Sequence, residues 1–456
     1  MLRAEVIGGG LAGVEAAWQL ARAGVAVMLR EMRPLRMTPA HRTGYLAELV
    51  CSNSLKSDSP ETAAGLLKEE MRRLGSLILE VAEKARVPGG QALCVDRELF
   101  AREVTERVAA HPLITVERGE VERVPSGPAV VATGPLTSEA FARSLQEMAG
   151  EEYLYFYDAA SPVVTAESIN LDFAFRGSRY GKGGDDYLNC PLSEEEYDRF
   201  WEALSSAEQA PRRDFDPIPY FEGCLPVEEM ARRGRDVLRF GPLKPVGLKP
   251  PLPGREHEPG HVYRGPEKPF AVVQLRPENR EGTLWSLVGF QTALRWGEQE
   301  RVFRMIPALE RAEFVRYGVM HKNLYLYSPA LLLPTLQWRE RPDLFFAGQI
   351  TGVEGYVESA ATGMVAGLNL ARLLKGLSPL TLPAETMIGS LLRYLTTPRA
   401  EKRDFQPMNA NFGLLPPGGE RVKGKRARHR WLGQRALGAL DAWLEEEGKW
   451  QRRAAP

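Results

Sequence analysis

The chain has 456 residues, long for one hydrophobic core, so two or three domains are expected. Lysine plus arginine and aspartate plus glutamate each number 59, so the protein as a whole is no polyanion binder and any nucleic-acid surface is a local patch. Four scattered cysteines, Cys51, Cys94, Cys190 and Cys224, form no CxxC pair and no disulfide framework, which fits a reducing cytoplasm. The first strand starts within a few residues of the N-terminus, leaving no room for a secretory signal, and no apolar run reaches the roughly 18 residues of a membrane span. A cytoplasmic protein with no membrane partner is expected.

In chain order, Ala4–Ile7 reads as a strand, Gly8–Gly13 as a glycine turn, Val14–Ala23 as a helix and Val25–Glu31 as a second strand ending in an acid. That is the pattern of a dinucleotide-binding βαβ unit. Gly8 permits the tight turn, Gly10 lets the backbone approach a pyrophosphate, and Gly13 lets helix and strand pack closely. Gly9, Leu11 and Ala12 complete the turn, whose helix N-terminus presents unpaired N–H groups to the phosphates. Glu31 is placed to accept hydrogen bonds from a ribose diol. An acid there disfavours a 2′-phosphate, so FAD or NAD fits better than NADP.

Met32–Arg42 is turn-rich and basic, and Tyr45–Lys56 follows with Cys51 where apolar residues give way to small polar ones. That is a place either for an accessible thiol or for a buried cysteine near a helix end. Leu66, Leu67, Met71, Leu74, Leu77, Ile78 and Val81 recur at helical spacing, so one helix is expected over 61–86, broken by Val87–Gly90. A helix over Asp96–Ala109 and strands at Ile114–Glu117 and Ala129–Pro135 come next. The second of these strands ends in Ala132-Thr133-Gly134, where Gly134 lets the backbone pass close to a cofactor and tilts the choice from NAD to FAD.

From about Tyr153 prolines, glycines and charges become frequent, as in an inserted domain of strands and helices with a helix at Ser193–Ser205. Cys224, bared by Gly223, stands just before a helix opened by Pro226, where the helix dipole favours a thiolate, although the residues alone fit a packing cysteine equally well. His257-Glu258-Pro259-Gly260-His261 matches HExxH, but proline and glycine inside the interval deny it a helix, so a surface loop and no metal are expected. Strands at Ala271–Leu275 and Leu284–Phe290 and a helix at Gly297–Ile306 follow. His321 is one of six histidines and sits among aromatics. Leu344–Gly348 then reads as a buried strand, Gln349–Gly355 as a turn and Tyr356–Leu374 as a helix. This second glycine turn at a helix N-terminus makes Gly348, Thr351, Gly352 and Val353 candidate cofactor contacts. Finally, Arg421–Arg430 is a basic run without an acid, before an amphipathic helix at Leu432–Leu444. It reads equally as a solvated tail or as a strip for RNA phosphates.

The expected fold is therefore α/β: a discontinuous Rossmann-type FAD-binding domain (1–155 and 335–376), an inserted α+β substrate domain (156–334) and a basic C-terminal helical segment (377–456).

Several blocks together resemble one family, the FAD- and folate-dependent tRNA uracil-5-methyltransferases called TrmFO. They are Gly8–Gly13, Glu31-Met32-Arg33-Pro34, Thr38-Pro39-Ala40-His41, Glu48–Leu55, Leu67–Met71, Phe221-Glu222-Gly223-Cys224, Val319-Met320-His321, Gly348–Gly363 and Phe405–Gly413, in that order and over nearly the full length. The related MnmG family, which modifies the tRNA wobble uridine, shares the fingerprint and the Gly352–Gly355 turn but not the Cys224 block, and is the alternative. A flavin-dependent NADH or thiol oxidoreductase is a second alternative, though it would normally show CxxC or a second nucleotide fingerprint.

The resemblance implies methylation at C5 of the T-loop uridine of tRNA, with methylenetetrahydrofolate as carbon donor, FAD as cofactor and NAD(P)H as a transient reductant. Uracil C5 is a poor nucleophile until a thiolate adds to C6, a role the resemblance gives to Cys224. A methylene is one hydride short of a methyl, which explains a flavin in a methylase. Cys51 is implied as catalytic partner, either removing the C5 proton or capturing the flavin-borne one-carbon unit. His321 is expected to stack on the pterin, and Arg426 and Arg428 to meet tRNA phosphates.

Overall fold

The protein is described by a computed structural model covering residues 2–150, 153–159, 161–181, 184–210, 225–279, 281–318, 320–400, 402, 405–417 and 422–447, with the side chains of 153–159 and 320–323 outside the description. The first strand, β1 (Arg3–Ile7), runs into helix α1 (Leu11–Arg22) and strand β2 (Ala26–Glu31). β1 is flanked in parallel by β2 and by Ala129–Val131. Ile114–Arg118 joins beyond β2, and Arg341–Phe346 joins beyond Ala129–Val131. Gln337–Trp338 closes one edge antiparallel. The central Ala129–Val131 is buried on both sides, which is why it reads as a continuous apolar run, whereas Ile114–Arg118 at the edge alternates buried and exposed.

α1 and the Tyr356–Leu374 helix pack against each other at backbone distance. A Cβ on Gly363 would lie 2.0 Å from the Ala12 carbonyl oxygen, and one on Gly367 would lie 2.4 Å from that of Ala16. Gly13 serves the same end towards β1, where a Cβ would stand 1.8 Å from the Gly8 oxygen. The glycines on these helices are thus demanded by packing.

Residues expected to form one helix over 61–86 form two, Ala63–Leu74 and Leu77–Lys84. The periodic apolar positions are all buried, but Gly75 takes a left-handed conformation (φ 81°) and Ser76 starts a new helix, accepting from Leu79 N–H. The buried Glu15 of α1 receives Ser76 Oγ at 2.8 Å and the amides of Leu77 and Ile78 at 3.2 and 3.1 Å. A carboxylate from another helix capping the new N-terminus is invisible to periodicity.

The inserted lobe holds a six-stranded antiparallel sheet in the order Phe175–Arg176, Leu188–Leu192, Ala271–Pro277, Leu284–Leu287, Val163–Thr165, Phe314–Arg316. The helix Glu194–Ser206, with a Ser193/Glu196 capping box, covers it, and Phe200, Phe290 and Phe303 fill a separate core. Two antiparallel strands, Tyr153–Ala159 and Met320–Leu326, carry the chain between the lobes.

The HEPGH stretch, expected to be a loop, is a small hairpin of Glu256–Glu258 and His261–Val262. His257 Nε2 donates to the Ala174 carbonyl at 2.8 Å, whereas His261 Nδ1 lies 3.0 Å from Asp172 Oδ1, so the two rings serve different partners. Among the described residues no helix is long and apolar enough to cross a membrane.

Beyond residue 377, Leu391, Leu395, Phe405, Leu432, Ala436 and Leu440 join the core of the nucleotide-binding lobe. Met408 pairs with Val353 and exchanges backbone hydrogen bonds with Gly352 and Glu354, tying this segment to the late glycine turn.

Candidate active site

A cleft lies along the carboxyl ends of β1 and β2, where α/β sheets bind ligands. Gly8, Gly9, Gly10, Leu11, Ala12, Glu31, Gly134 and Gly348 line it, all expected from the sequence. Gly13, Thr351, Gly352 and Val353 do not. Gly13 packs helix on strand, Thr351 Oγ1 donates to the Gly348 carbonyl at 2.8 Å, Gly352 (φ 88°) lies against the Phe405 ring, and buried Val353 pairs with Met408. These four build the turns under the cleft wall.

The cleft suits a dinucleotide. A Cβ on Gly10 would meet nothing within 4 Å, so its backbone faces open space; so does that of Gly134. α1 begins at Gly10 with no side-chain cap and no acid in its first turn, leaving its N–H groups and dipole for an anion. Glu31 Oε2 accepts the Gly9 amide at 2.8 Å, holding the glycine turn to β2. Burial alone would raise the Glu31 pKa. Arg33 outweighs it with two side-chain hydrogen bonds (2.9 and 3.0 Å) and its charge, aided by the Arg33 and Gly9 amides, and keeps the carboxyl below its usual range. Those four bonds take up the carboxylate's roughly four lone-pair sites, so a ribose hydroxyl would have to share one of them. The Gly8–Ala12 turn, Glu31, Gly134 and Gly348 are the residues that would hold such a dinucleotide.

Met32–Arg42, read from sequence as a basic turn that carries two of the resemblance blocks, supplies Met32, Arg33, Thr38 and His41 to the same wall. Thr38 Oγ1 and His41 Nδ1 lie 2.6 Å apart, and Thr38 also accepts the His41 amide.

Cys51 is half-buried in the irregular segment before the Ser54–Ser57 strand. Its amide and that of Ser52 both donate to Tyr356 Oη, at 2.6 and 3.1 Å, and Tyr356 lines the cleft from the first turn of the late helix. Burial, followed by the nearby Cys51 charge, pushes the phenol up, so it stays neutral. On the other side Arg276 donates to Ser52 Oγ at 2.7 Å and to Asn53 Oδ1 at 2.9 Å. Arg97 donates to the Leu49 carbonyl at 3.2 Å and pairs with buried Glu278 at 3.0 Å. Half-buried Arg316 reaches towards the Cys51 carbonyl at 3.5 Å. Burial, followed by the Arg97 charge, brings its guanidinium down to about 10, against Glu278 and Cys51, which raise it. Arg97, Arg276 and Arg316 against Glu278 make the ground beside Cys51 net positive, a setting that favours a thiolate.

A second cleft opens between the lobes and is lined by Tyr45, Arg97, Glu278 and Arg316. Glu48 and Val50 line both clefts, so the segment carrying Cys51 is the partition between them. Cys94 and Cys190 are fully buried, and burial pushes both thiols up, as befits packing residues.

Cys224 lies outside the described residues. His321 pairs with Asp158 in the strand ladder, and its side chain is likewise outside the description. Arg426 and Arg428 belong to the helix Lys425–Glu447, longer than expected. Arg426 Nε donates to Glu61 at 2.9 Å, as does Arg430, while Arg428 is exposed.

The family model of glucose inhibited division protein A matches residues 3–378. The methylenetetrahydrofolate–tRNA-(uracil-5-)-methyltransferase TrmFO of Heliobacterium modesticaldum is 60% identical over 97% of this chain and 98% of its own. That of Moorella thermoacetica is 61% identical over 95% and 96%. Aquifex aeolicus GidA shares the fold at 17% identity, with a TM-score of 0.65 over 98% of this chain and 79% of its own. The chain belongs to the glucose inhibited division protein A family and, within it, to the TrmFO methyltransferases.

Proposed function

We propose that this enzyme methylates C5 of a uridine in the T-arm of tRNA, using methylenetetrahydrofolate as carbon donor, FAD as cofactor and NAD(P)H as reductant. The observation that carries the reading is the likeness to TrmFO methyltransferases over nearly the whole chain. The geometry supports it, because Val50, next to Cys51, and Tyr356, which accepts the Cys51 amide, both line the dinucleotide cleft.

Bound FAD supplies, once reduced, the hydride that converts a methylene into a methyl. The protein supplies the rest. The Cys224 thiolate adds to C6 of uracil and pushes electrons to C5, which bonds the methylene carbon as one of its two C–N bonds to the folate breaks. The C5 proton then leaves to a base as the second C–N bond breaks and the folate amine departs, and addition of hydride to the resulting methylene expels the thiolate from C6. Cys51 stands as partner in this sequence, on a segment braced by Tyr356, Arg276 and Arg97. His321 stacks on the pterin, and the T-loop uridine must be turned out of its loop to reach Cys224. The 1–155 and 335–376 stretches hold the cofactor, 156–334 the substrates, and 377–456 forms a basic C-terminal segment. The setting is a reducing cytoplasm, which keeps both cysteines as thiols.

The test incubates the FAD-loaded protein with T-arm RNA, methylenetetrahydrofolate and NADH and assays ribothymidine. Cys224→Ala should stay yellow and make no product; full activity in that variant overturns the nucleophile assignment. Product formed from S-adenosylmethionine alone overturns the reading itself. A T-arm carrying 5-fluorouridine should be trapped covalently on Cys224, and trapping only on Cys51 would exchange the two roles.

A further inference from the structure

Two stretches of the inserted lobe carry cations and no acid. Residues 174–181 hold Arg176 and Arg179, and residues 237–255 hold Arg239, Lys244, Lys249 and Arg255. The fold brings them together. The Tyr180 amide donates to the Gly247 carbonyl at 2.7 Å, and Arg179 Nη1 to that of Val246 at 3.0 Å. One side of the Tyr180 ring lies on Gly247, where a Cβ would stand 2.8 Å from a ring carbon. Even so, Tyr180 is 63% exposed and Phe240 74% exposed. Tyr180 also takes a left-handed conformation (φ 60°), a strained state for a bulky side chain that tends to gather at functional sites. Stability does not ask for a strained aromatic residue held out into water.

The position of this surface matters as much as its composition. It is fastened to the strand Ala271–Pro277, where Val272 N–H donates to the Leu243 carbonyl at 3.0 Å and Arg179 Nε donates to Gln274 Oε1 at 3.0 Å. Two residues further on, Arg276 holds Ser52 and Asn53, the neighbours of Cys51. Gln274 and Arg276 point to the same side of the sheet, about 7 Å apart along the strand. The exposed aromatics and the Cys51 segment are therefore held side by side.

Lys244 and Lys249 are exposed, and no ion pair among the described residues holds either. In the C-terminal basic run, by contrast, Arg426 and Arg430 are already bound to Glu61. Cations without counter-charges beside an open aromatic face are the elements of single-stranded RNA recognition, in which lysines neutralise phosphates and a ring stacks on an unpaired base.

We propose that the surface formed by Tyr180, Phe240, Lys244 and Lys249 receives the RNA substrate, with a base stacked on Tyr180 and phosphates lying on the two lysines. This rests on the tRNA methylation reading above. The test measures binding of T-arm RNA to the full-length, FAD-loaded protein by anisotropy over a series of salt concentrations. It compares the parent with Tyr180→Asn, with the double variant Lys244→Ala/Lys249→Ala, and with Arg426→Ala/Arg428→Ala. Asparagine tolerates the left-handed backbone, so the first variant removes the ring and keeps the turn.

Tyr180→Asn should weaken binding roughly ten-fold, the scale of one base–aromatic stack. The double lysine variant should flatten the dependence of log K on log salt by about 0.7–0.9 for each phosphate that no longer meets a cation. The C-terminal pair should change either quantity less. Unchanged affinity and slope in the Tyr180 and lysine variants, with the parent binding and methylating the same RNA, overturn the proposal alone. A parent that makes no ribothymidine overturns the reading beneath it. FAD absorbance and thermal unfolding check folding, and if Tyr180→Asn misfolds, the exposed lysine pair decides.

Discussion

Tyr356 Oη accepts the amides of both Cys51 and Ser52, at 2.6 and 3.1 Å, across 305 residues of sequence. A phenol at the start of one helix thereby sets the height of the Cys51 segment on the wall of the nucleotide cleft. Tyr356 is a positioning residue: it acts on Cys51 through the backbone.

Tyr356→Phe keeps the ring and removes the acceptor, leaving two N–H groups without their partner at a cost of about 1–3 kcal/mol in stability. FAD should remain bound. Ribothymidine formation should fall about ten-fold or more in kcat, with little change in KM for the RNA, because the displaced group is the proposed partner in the chemistry. An unchanged kcat with only a lowered melting temperature would make the contact purely structural.

Gly363→Ala tests the packing of the two cofactor-side helices. Its methyl would press on the Ala12 carbonyl oxygen, 2.0 Å away, and part α1 from the late helix. Such overpacking costs roughly 1–3 kcal/mol, and the distortion reaches the Gly10–Ala12 turn. The expected result is a lower melting temperature together with faster loss of FAD on dilution, followed by flavin fluorescence.

Glu31 predicts an acid limb. Its folded pKa lies below the unfolded carboxyl value of about 4.3, so its stabilisation is present above that value and is lost as pH falls through the folded pKa. Glu31→Gln should flatten that limb in denaturant titrations. At neutral pH it should cost about 3 kcal/mol, because buried Arg33 loses its main partner and keeps only Glu48 at 3.2 Å.

Glu70 predicts the opposite slope. Burial outweighs the amides of Ile388 and Met387 and the charge of Arg73, raising its pKa to about 7. Between about pH 4.3 and that value the folded chain holds a proton the unfolded chain has lost, so this contribution fades as pH rises through about 7. Glu70→Gln should remove the decline from stability curves measured on either side of that window. An identical slope in the variant would show that another group carries it.

The local parts of the site were legible in the residues. Gly8–Ala12 and Glu31 lie within one βαβ unit, where glycine spacing and strand length leave little freedom, and they line one cleft. Gly134 and Gly348 could be read for the same reason, each following a buried strand directly. The break at Gly75–Ser76 was not legible, because the apolar period runs through it and the capping carboxylate comes from Glu15 of another helix. The assignment of Gly352 and Val353 to the cofactor came from motif position. The structure shows the Gly352 carbonyl accepting from Met408 N–H and the Gly352 face covered by the Phe405 ring, with Val353 buried opposite Met408.

By itself the sequence determined the nucleotide-binding pattern, the inserted lobe and the family blocks, since each depends on neighbours within a few turns or on strings of residues. Only the tertiary structure decided what surrounds Cys51. Tyr356, Arg276, Arg97 and Arg316 come from four distant stretches, and no spacing rule relates them. It also decided which basic residues are left for RNA. Glu61 occupies Arg426 and Arg430, whereas no ion pair among the described residues holds Lys244 or Lys249. Charge is written in the sequence, but whether a charge is already neutralised depends on which side chains the fold brings within about 4 Å.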